Sequence, residues 1–303
     1  MATTARFELP PGFLPPTIPE GASMRRIDFA NTDPPIPEYK NLFAVMIDNL
    51  FTELECQGLI RAAETSTFTP TNTTPSWDRA LINIGGGEQM LAVDSRNCGR
   101  IIFDTPLIAQ KIQDRLAPFL KECDICTIRN QPLVTGLGPV KRNEVLHLSR
   151  LNERLRFLRY DGGEYFRPHC DGNYVTPSGD EQSLYTIHLY LNGDGEQDLE
   201  ELQAEKRKRN PEGHTNLIDL WDSMRTEGEK EAKERKSDPS EPLLGGATSF
   251  HPNFQDEGSV RVFPKTGSVL IFQQRGLCHA GDDVFRGRKY TMRTDMMYRK
   301  KTE

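Results

Sequence analysis

The apolar and polar positions of this chain fall into short alternating runs, with two segments of helical spacing near the start. Phe43-Ala-Val-Met-Ile-Asp48 is an apolar run of strand length, and Thr52-Glu-Leu-Glu-Cys-Gln-Gly-Leu-Ile-Arg-Ala-Ala63 behind it has helical spacing, with Thr52 placed to cap it. Thr105–Leu120 predicts a second helix, opened by Pro106 in its first turn, where a missing N–H costs nothing. Leu184–Asn192 alternates cleanly: Tyr185, Ile187, Leu189 and Leu191 make one apolar face, while Thr186, His188 and Tyr190 make a polar one. Thr266–Phe272 is a short apolar run opened by a turn, which predicts a buried strand, and Arg288–Tyr298 alternates as another. The expectation is a mainly β chain with flanking helices (α+β), the helices backing the main sheet.

Two stretches break this pattern. Residues 1 to about 40 carry Pro10, Pro11, Pro15, Pro16, Pro19, Pro34, Pro35 and Pro37, which forbid a regular helix and disfavour a central strand. They predict an extended leader along the surface, and residues 41–303 a single domain. From Gly193 to Leu243 runs an insertion dense in charge of both signs, including Lys206-Arg-Lys-Arg209, which predicts a solvated helix or loop. Inside it Leu217, Leu220, Trp221 and Met224 recur at i, i+3, i+4 and i+7, predicting a short amphipathic helix over 213–226 that covers a cavity entrance or packs beside it.

Composition narrows the possibilities. A chain of 303 residues can bury a sizeable single core. A formal charge of −6 argues against a nucleic-acid partner held by net positive charge. No apolar run reaches membrane-spanning length and the N-terminus lacks a signal pattern, so no membrane partner and a cytoplasmic location are expected. Six cysteines (Cys56, Cys98, Cys123, Cys126, Cys170 and Cys278) are too few for a disulfide scaffold in a chain this long. Cys123-Asp-Ile-Cys126 has zinc or redox spacing, but without a second such pair it is read as packing.

The chemistry concentrates in His169-Cys170-Asp171. In an extended segment side chains alternate, so His169 and Asp171 point the same way and Cys170 points elsewhere. The third donor must come from a distant strand, and His279 follows the buried run ending at Phe272. Two imidazoles and one carboxylate on one face of a metal leave the opposite positions open for a chelating co-substrate and O2, the arrangement of non-haem Fe(II) oxygenases. A His-x-Asp triplet alone arises often by chance, and a zinc cupin is the rival metal reading, although such sites are richer in histidine. Lys289, with its stem buried in an alternating strand, is placed to meet the far carboxylate of a dicarboxylate on that metal.

Several motifs occur together and in order: Arg159-Tyr-Asp-Gly-Gly-Glu-Tyr-Phe-Arg-Pro-His-Cys-Asp-Gly172, Tyr190-Leu-Asn192, Gly245-Gly-Ala-Thr-Ser-Phe250, Gly267-Ser-Val-Leu-Ile-Phe272, then His279 and Lys289. With them the chain resembles, over about residues 41 to 298, the prolyl 4-hydroxylase-like branch of the Fe(II)/2-oxoglutarate dioxygenases. The resemblance implies a double-stranded β-helix (jelly roll, cupin-like), with Fe(II) on His169, Asp171 and His279. It implies 2-oxoglutarate as co-substrate with O2, ascorbate as external reductant, and succinate and CO2 as products. Lys289 would pair with the distal carboxylate of 2-oxoglutarate, assisted by Tyr190 and Thr248, with Tyr160 as a second pocket tyrosine. Arg288 and Arg293 compete for that role; alternation turns Arg288 away and puts Arg293 on the face of Lys289. An aspartate at 171 excludes the halogenase variant of the superfamily, and His188 stands where the family more often has an apolar residue.

The substrate is less legible. Arg96, Arg156, Asn173 and Arg275 lie near substrate-side motifs of the family. A small-molecule metabolite or amino-acid-derived substrate is the favoured reading, with peptidyl proline in an intracellular protein as the alternative. A catalytically silent jelly-roll binding module is the rival of a different class, and the intact triad with Lys289 speaks against it.

Overall fold

The computed structural model describes residues 10–85, 88–209, 238–252 and 258–300. In chain order the elements that position the site are β1 (Ser23–Arg26), β2 (Ala44–Asp48), α1 (Glu53–Thr65), β3 (Arg96–Asn97), β4 (Gly99–Asp104), α2 (Pro106–Glu122), β5 (Val145–Leu151), β6 (Arg154–Tyr160), β7 (Tyr165–Cys170) and β8 (Glu181–Tyr190). After α3 (Leu199–Arg209) come β9 (Thr248–Phe250), β10 (Val260–Val262), β11 (Val269–Gln273), β12 (Cys278–Gly281) and β13 (Lys289–Lys300). They form two antiparallel sheets. The larger contains β1, β2, β11, β8, β13, β6 and β4 in that spatial order, with β5 also on β13; the smaller runs β10, β9, β12, β7, β3. This is the double-stranded β-helix expected from the sequence.

Strand alternation divides the large sheet between two cores. Val45 and Ile47 of β2, Ile187 and Leu189 of β8, and Val269 and Ile271 of β11 face outward onto Leu59 of α1 and Ile108, Ile112 and Leu116 of α2. The intervening residues Ala44, Met46, Tyr190, Leu270 and Phe272 face inward onto Phe250, Val260 and Val262 of the small sheet. The cavity therefore lies on the inner faces, and the helices stiffen the sheet from behind.

The helices begin where the sequence places them. The Thr52 hydroxyl accepts from the Glu55 N–H at 3.3 Å while the Thr52 N–H donates to the Glu55 carboxylate at 2.9 Å, a complete capping box. The same carboxylate receives Arg115 of α2 at 2.8 Å, tying the two helices together behind the sheet. Thr105 caps α2, with Pro106 in its first turn.

The leader packs more deeply than a surface strip. β1 pairs with β2 at the sheet edge, but Phe29, Ile36 and Tyr39 enter the inter-sheet core. The charged insertion begins as a helix at Leu199–Arg209. The amphipathic helix expected at 213–226 lies outside the described residues.

Candidate metal centre

β7 and β12 are neighbours in the small sheet, and their register sets His169 directly opposite His279. The chain leaves β7 after Cys170, so Asp171 follows at the strand end and turns inward with His169. The His169 Nε2 lies 3.7 Å from Asp171 Oδ1, and the His279 Nε2 lies 3.8 Å from Asp171 Oδ2. One donor atom from each residue falls within 4.8 Å of the others. The triad predicted from spacing is thus assembled.

The donor chemistry fits a divalent cation. The Nδ1 atoms of His169 and His279 face only backbone carbonyls, Arg167 O at 2.8 Å and Leu277 O at 3.2 Å, so each Nδ1 carries the proton and donates it. Both Nε2 lone pairs are left pointing at the shared centre. Phe166 stacks on His169 with centroids 3.7 Å apart, and Phe272 meets His279 edge-on at 4.6 Å, which fixes the planes of both rings. Burial and then the neighbouring His279 pull His169 down to about 3, keeping it neutral at ordinary pH, and burial likewise lowers His279. Burial pushes the Asp171 carboxyl upward, but Arg293 and the two imidazoles outweigh it and hold it well below the usual carboxylate range. Two neutral imidazoles and one ionised carboxylate are the protonation states that metal binding requires.

Two residues grip that carboxylate. The Thr186 hydroxyl donates to Asp171 Oδ2 at 2.7 Å, and Arg293 Nη2 forms an ion pair with Oδ1 at 2.9 Å. Arg293 shares the inner face with Lys289, as alternation predicts, yet its guanidinium is engaged by Asp171 and, at 3.4 Å, by Asp295. Neither link was visible in sequence; the available signal was that Thr186 and Arg293 both sit on cavity-facing positions.

The cavity beside the triad is lined by Arg96, Tyr160, Phe166, His169, Thr186, His188, Thr248, Phe272, His279, Lys289 and Arg293. Lys289 is 1% exposed. Among the described residues no side chain or carbonyl hydrogen-bonds its amine, which lies 5.1 Å from the centre of the Tyr160 ring. Burial lowers Lys289 to about 8, opposed by the charge of Asp282. Gly246 makes room for its stem: at φ +69°, a Cβ there would stand 3.0 Å from Lys289 Cδ. The Tyr190 hydroxyl donates to Thr248 Oγ1 at 2.8 Å, so tyrosine and threonine form one polar unit, with Thr248 on the cavity wall. Arg288 turns away, bonding Asp161 and, at 3.2 Å, Tyr290. His188 also faces the cavity, with a buried Nε2 that has no hydrogen-bond partner among the described residues.

The other polar candidates divide. Arg96 reaches the cavity wall, 4.4 Å over the Phe166 ring. Arg156 is taken by Asp295 at 2.9 Å, Arg275 packs against the position of Gly136, and Asn173 is exposed. Among the described residues no helix is long and apolar enough to cross a membrane.

No family model matches the chain, and no curated protein matches it. Among solved structures it is similar to a viral collagen prolyl hydroxylase from Paramecium bursaria Chlorella virus-1 in its 2OG complex, at 18% identity over 84% of this chain and 96% of that one, with a TM-score of 0.43. A Pseudomonas putida prolyl-4-hydroxylase is 14% identical over 88% and 96% of the two chains, with a TM-score of 0.41. A Trichoplax adhaerens prolyl hydroxylase, in complex with a hypoxia inducible factor peptide fragment, is 12% identical over 91% and 83%, also at 0.41.

Proposed function

We propose that this chain is an Fe(II)- and 2-oxoglutarate-dependent dioxygenase that oxidises an unactivated C–H bond and releases succinate and CO2. The observation that carries this reading is a buried lysine that, among the described residues, has no hydrogen-bond or ion-pair partner, in the same cavity as a two-histidine, one-carboxylate donor set. A buried ammonium is costly unless an anion joins it, and a dicarboxylate that reaches both Lys289 and a metal on the triad satisfies both ends of the cavity.

Bound Fe(II) would supply the O2 chemistry. The chain's own residues hold, orient and shield. His169, Asp171 and His279 present their donors on one side and leave the opposite side open to the cavity. Thr186 and Arg293 keep the carboxylate ionised and fixed in direction. Lys289 binds the far carboxylate of 2-oxoglutarate, with the Thr248 hydroxyl, itself held by Tyr190, as a further partner and Tyr160 as the floor beneath the amine. Phe166 and Phe272 exclude water around the imidazoles.

For the substrate, a small molecule entering past the exposed edge of His169 is the first reading. Exposed Met90, Leu91 and Val93, on the segment whose Ser95 carbonyl accepts from Arg167 N–H beside the triad, together with exposed Tyr174 and Val175 just after it, favour a peptide segment as the second. The deciding experiment follows 2-oxoglutarate-dependent succinate release from the Fe(II)-loaded protein with a metabolite extract and, separately, with prolyl peptides. His279→Ala should abolish both metal binding and succinate release while the fold is retained. Full metal affinity in that variant would remove His279 from the site.

A further inference from the structure

The register that opposes His169 to His279 also opposes the next pair, Cys170 to Cys278. Strand alternation sends the two pairs to opposite faces of the same two strands: the imidazoles into the cavity and the thiols to its reverse side. Antiparallel partners stand about 4.5 or about 5.5 Å apart at Cα, and both spacings lie within the range of roughly 4.4–6.8 Å that a disulfide bridges without moving the backbone. Cys170 is exposed and Cys278 is buried at 4%, so one thiol meets solvent while the other waits behind it.

We propose that Cys170 and Cys278 are a peroxide-oxidised pair whose disulfide links β7 to β12 on the reverse face of the metal centre. Cys170 attacks hydrogen peroxide, its sulfur taking one oxygen and the other leaving as water, which gives a sulfenic acid. The Cys278 sulfur then attacks that sulfur and expels the oxygen as a second water. Two thiols are oxidised by two electrons in all, and one peroxide is reduced to two waters.

The link matters because of where β7 is tied. On the side away from β12, β3 pairs only with Tyr165 and Phe166, so among the described residues His169 and Cys170 are held to the small sheet through β12 alone. Immediately beyond them the chain leaves the strand and carries Asp171. Local opening of this strand end is the simplest way for the donors to separate, and a disulfide across Cys170 and Cys278 removes it. The oxidised protein therefore releases a bound metal more slowly than the reduced one.

The full chain, metal-free in chelator, is exposed to hydrogen peroxide and mapped by mass spectrometry after blocking free thiols. The expected result is loss of two hydrogens with one cross-linked peptide joining Cys170 to Cys278, reversed by dithiothreitol. Cys278→Ser should instead stop at a sulfenic acid on Cys170 that a dimedone probe captures, and Cys170→Ser, a surface change, should leave Cys278 unoxidised. Oxidation of Cys170 to sulfinic acid with no cross-link, or a cross-link confined to Cys123 and Cys126, overturns the proposal. Cobalt(II) release into excess chelator is then compared between oxidised and reduced protein. Slowing of about threefold or more supports the coupling to the metal centre, and equal rates refute it. Neither measurement uses turnover, so the result stands apart from the proposed dioxygenase activity.

Discussion

Arg293 Nη2 lies 2.9 Å from Asp171 Oδ1, which makes a cation of the chain the neighbour of the carboxylate offered to the metal. In metal-free protein this guanidinium compensates a buried charge, and a bound metal takes over part of that duty. Removing one member of a buried pair costs about 3–5 kcal/mol. Arg293→Met should therefore lower the melting temperature of the metal-free protein sharply, and cobalt(II) should restore more stability to the variant than it adds to the wild type. Equal metal-induced shifts in thermal unfolding would show that the two cations do not share Asp171.

Lys289→Met separates co-substrate binding from folding. The lost charge-assisted bond, worth roughly 1.5–3 kcal/mol, predicts a requirement for 2-oxoglutarate raised by about 10- to 150-fold, with metal affinity nearly unchanged. Because the ammonium has no hydrogen-bond or ion-pair partner among the described residues, the same variant should be no less stable than wild type without 2-oxoglutarate. Unchanged co-substrate dependence would assign the carboxylate to another group.

Lys289 also sets a pH signature. Its shift from 10.5 to about 8 reflects a charged form disfavoured by burial, and amounts to roughly 3 kcal/mol. Below about pH 8 the amine is charged in both folded and unfolded chains, and that burial cost is present in full. Between about 8 and 10.5 the unfolded chain binds more protons, so this group's contribution makes stability rise with pH across that window. Affinity for a dicarboxylate should move the other way, weakening by about tenfold per pH unit above about 8 as the free site loses its charge. Calorimetric titration with 2-oxoglutarate from pH 7 to 9.5 measures it, and a flat profile would contradict a role for the protonated lysine.

His188 faces the same cavity with a buried, unpartnered Nε2, and burial, then Lys289 and Arg293, keep it neutral. A neutral imidazole able to donate from Nε2 suits a carboxylate. His188→Leu should weaken 2-oxoglutarate binding by about tenfold, the value of one hydrogen bond of about 1.4 kcal/mol, and leave the fold unharmed. If binding is unaltered, His188 only fills space.

What could be read from sequence was whatever depends on local period. Alternation in Leu184–Asn192 correctly turned Thr186 and His188 to the cavity and Ile187 and Leu189 to the helices, and the Thr52 cap and Pro106 start were local signals of the same kind. Alternation also put Arg293 on the face of Lys289. It could not show which acid stood across from the guanidinium, because Asp171 reaches it from the other sheet. The opposition of Cys170 to Cys278 was hidden for the same reason: a period of two fixes the face, whereas the partner is fixed by register between strands more than 100 residues apart in sequence. The burial of Tyr39 was not legible, because the prolines around it describe the backbone and say nothing of where its ring is buried.

That ring ties the start of the chain to the ligand strand. The Tyr39 hydroxyl donates to the His251 carbonyl at 2.6 Å and accepts from the Cys278 N–H at 3.3 Å, one residue before His279. A chain trimmed to begin at residue 41 looks tidy on paper, yet it would strip two backbone groups beside the centre of their shared partner and leave Phe250 without the aromatic neighbour that Phe29 supplies. The leader residues Phe29 and Tyr39 therefore act as a back wall to the candidate metal centre.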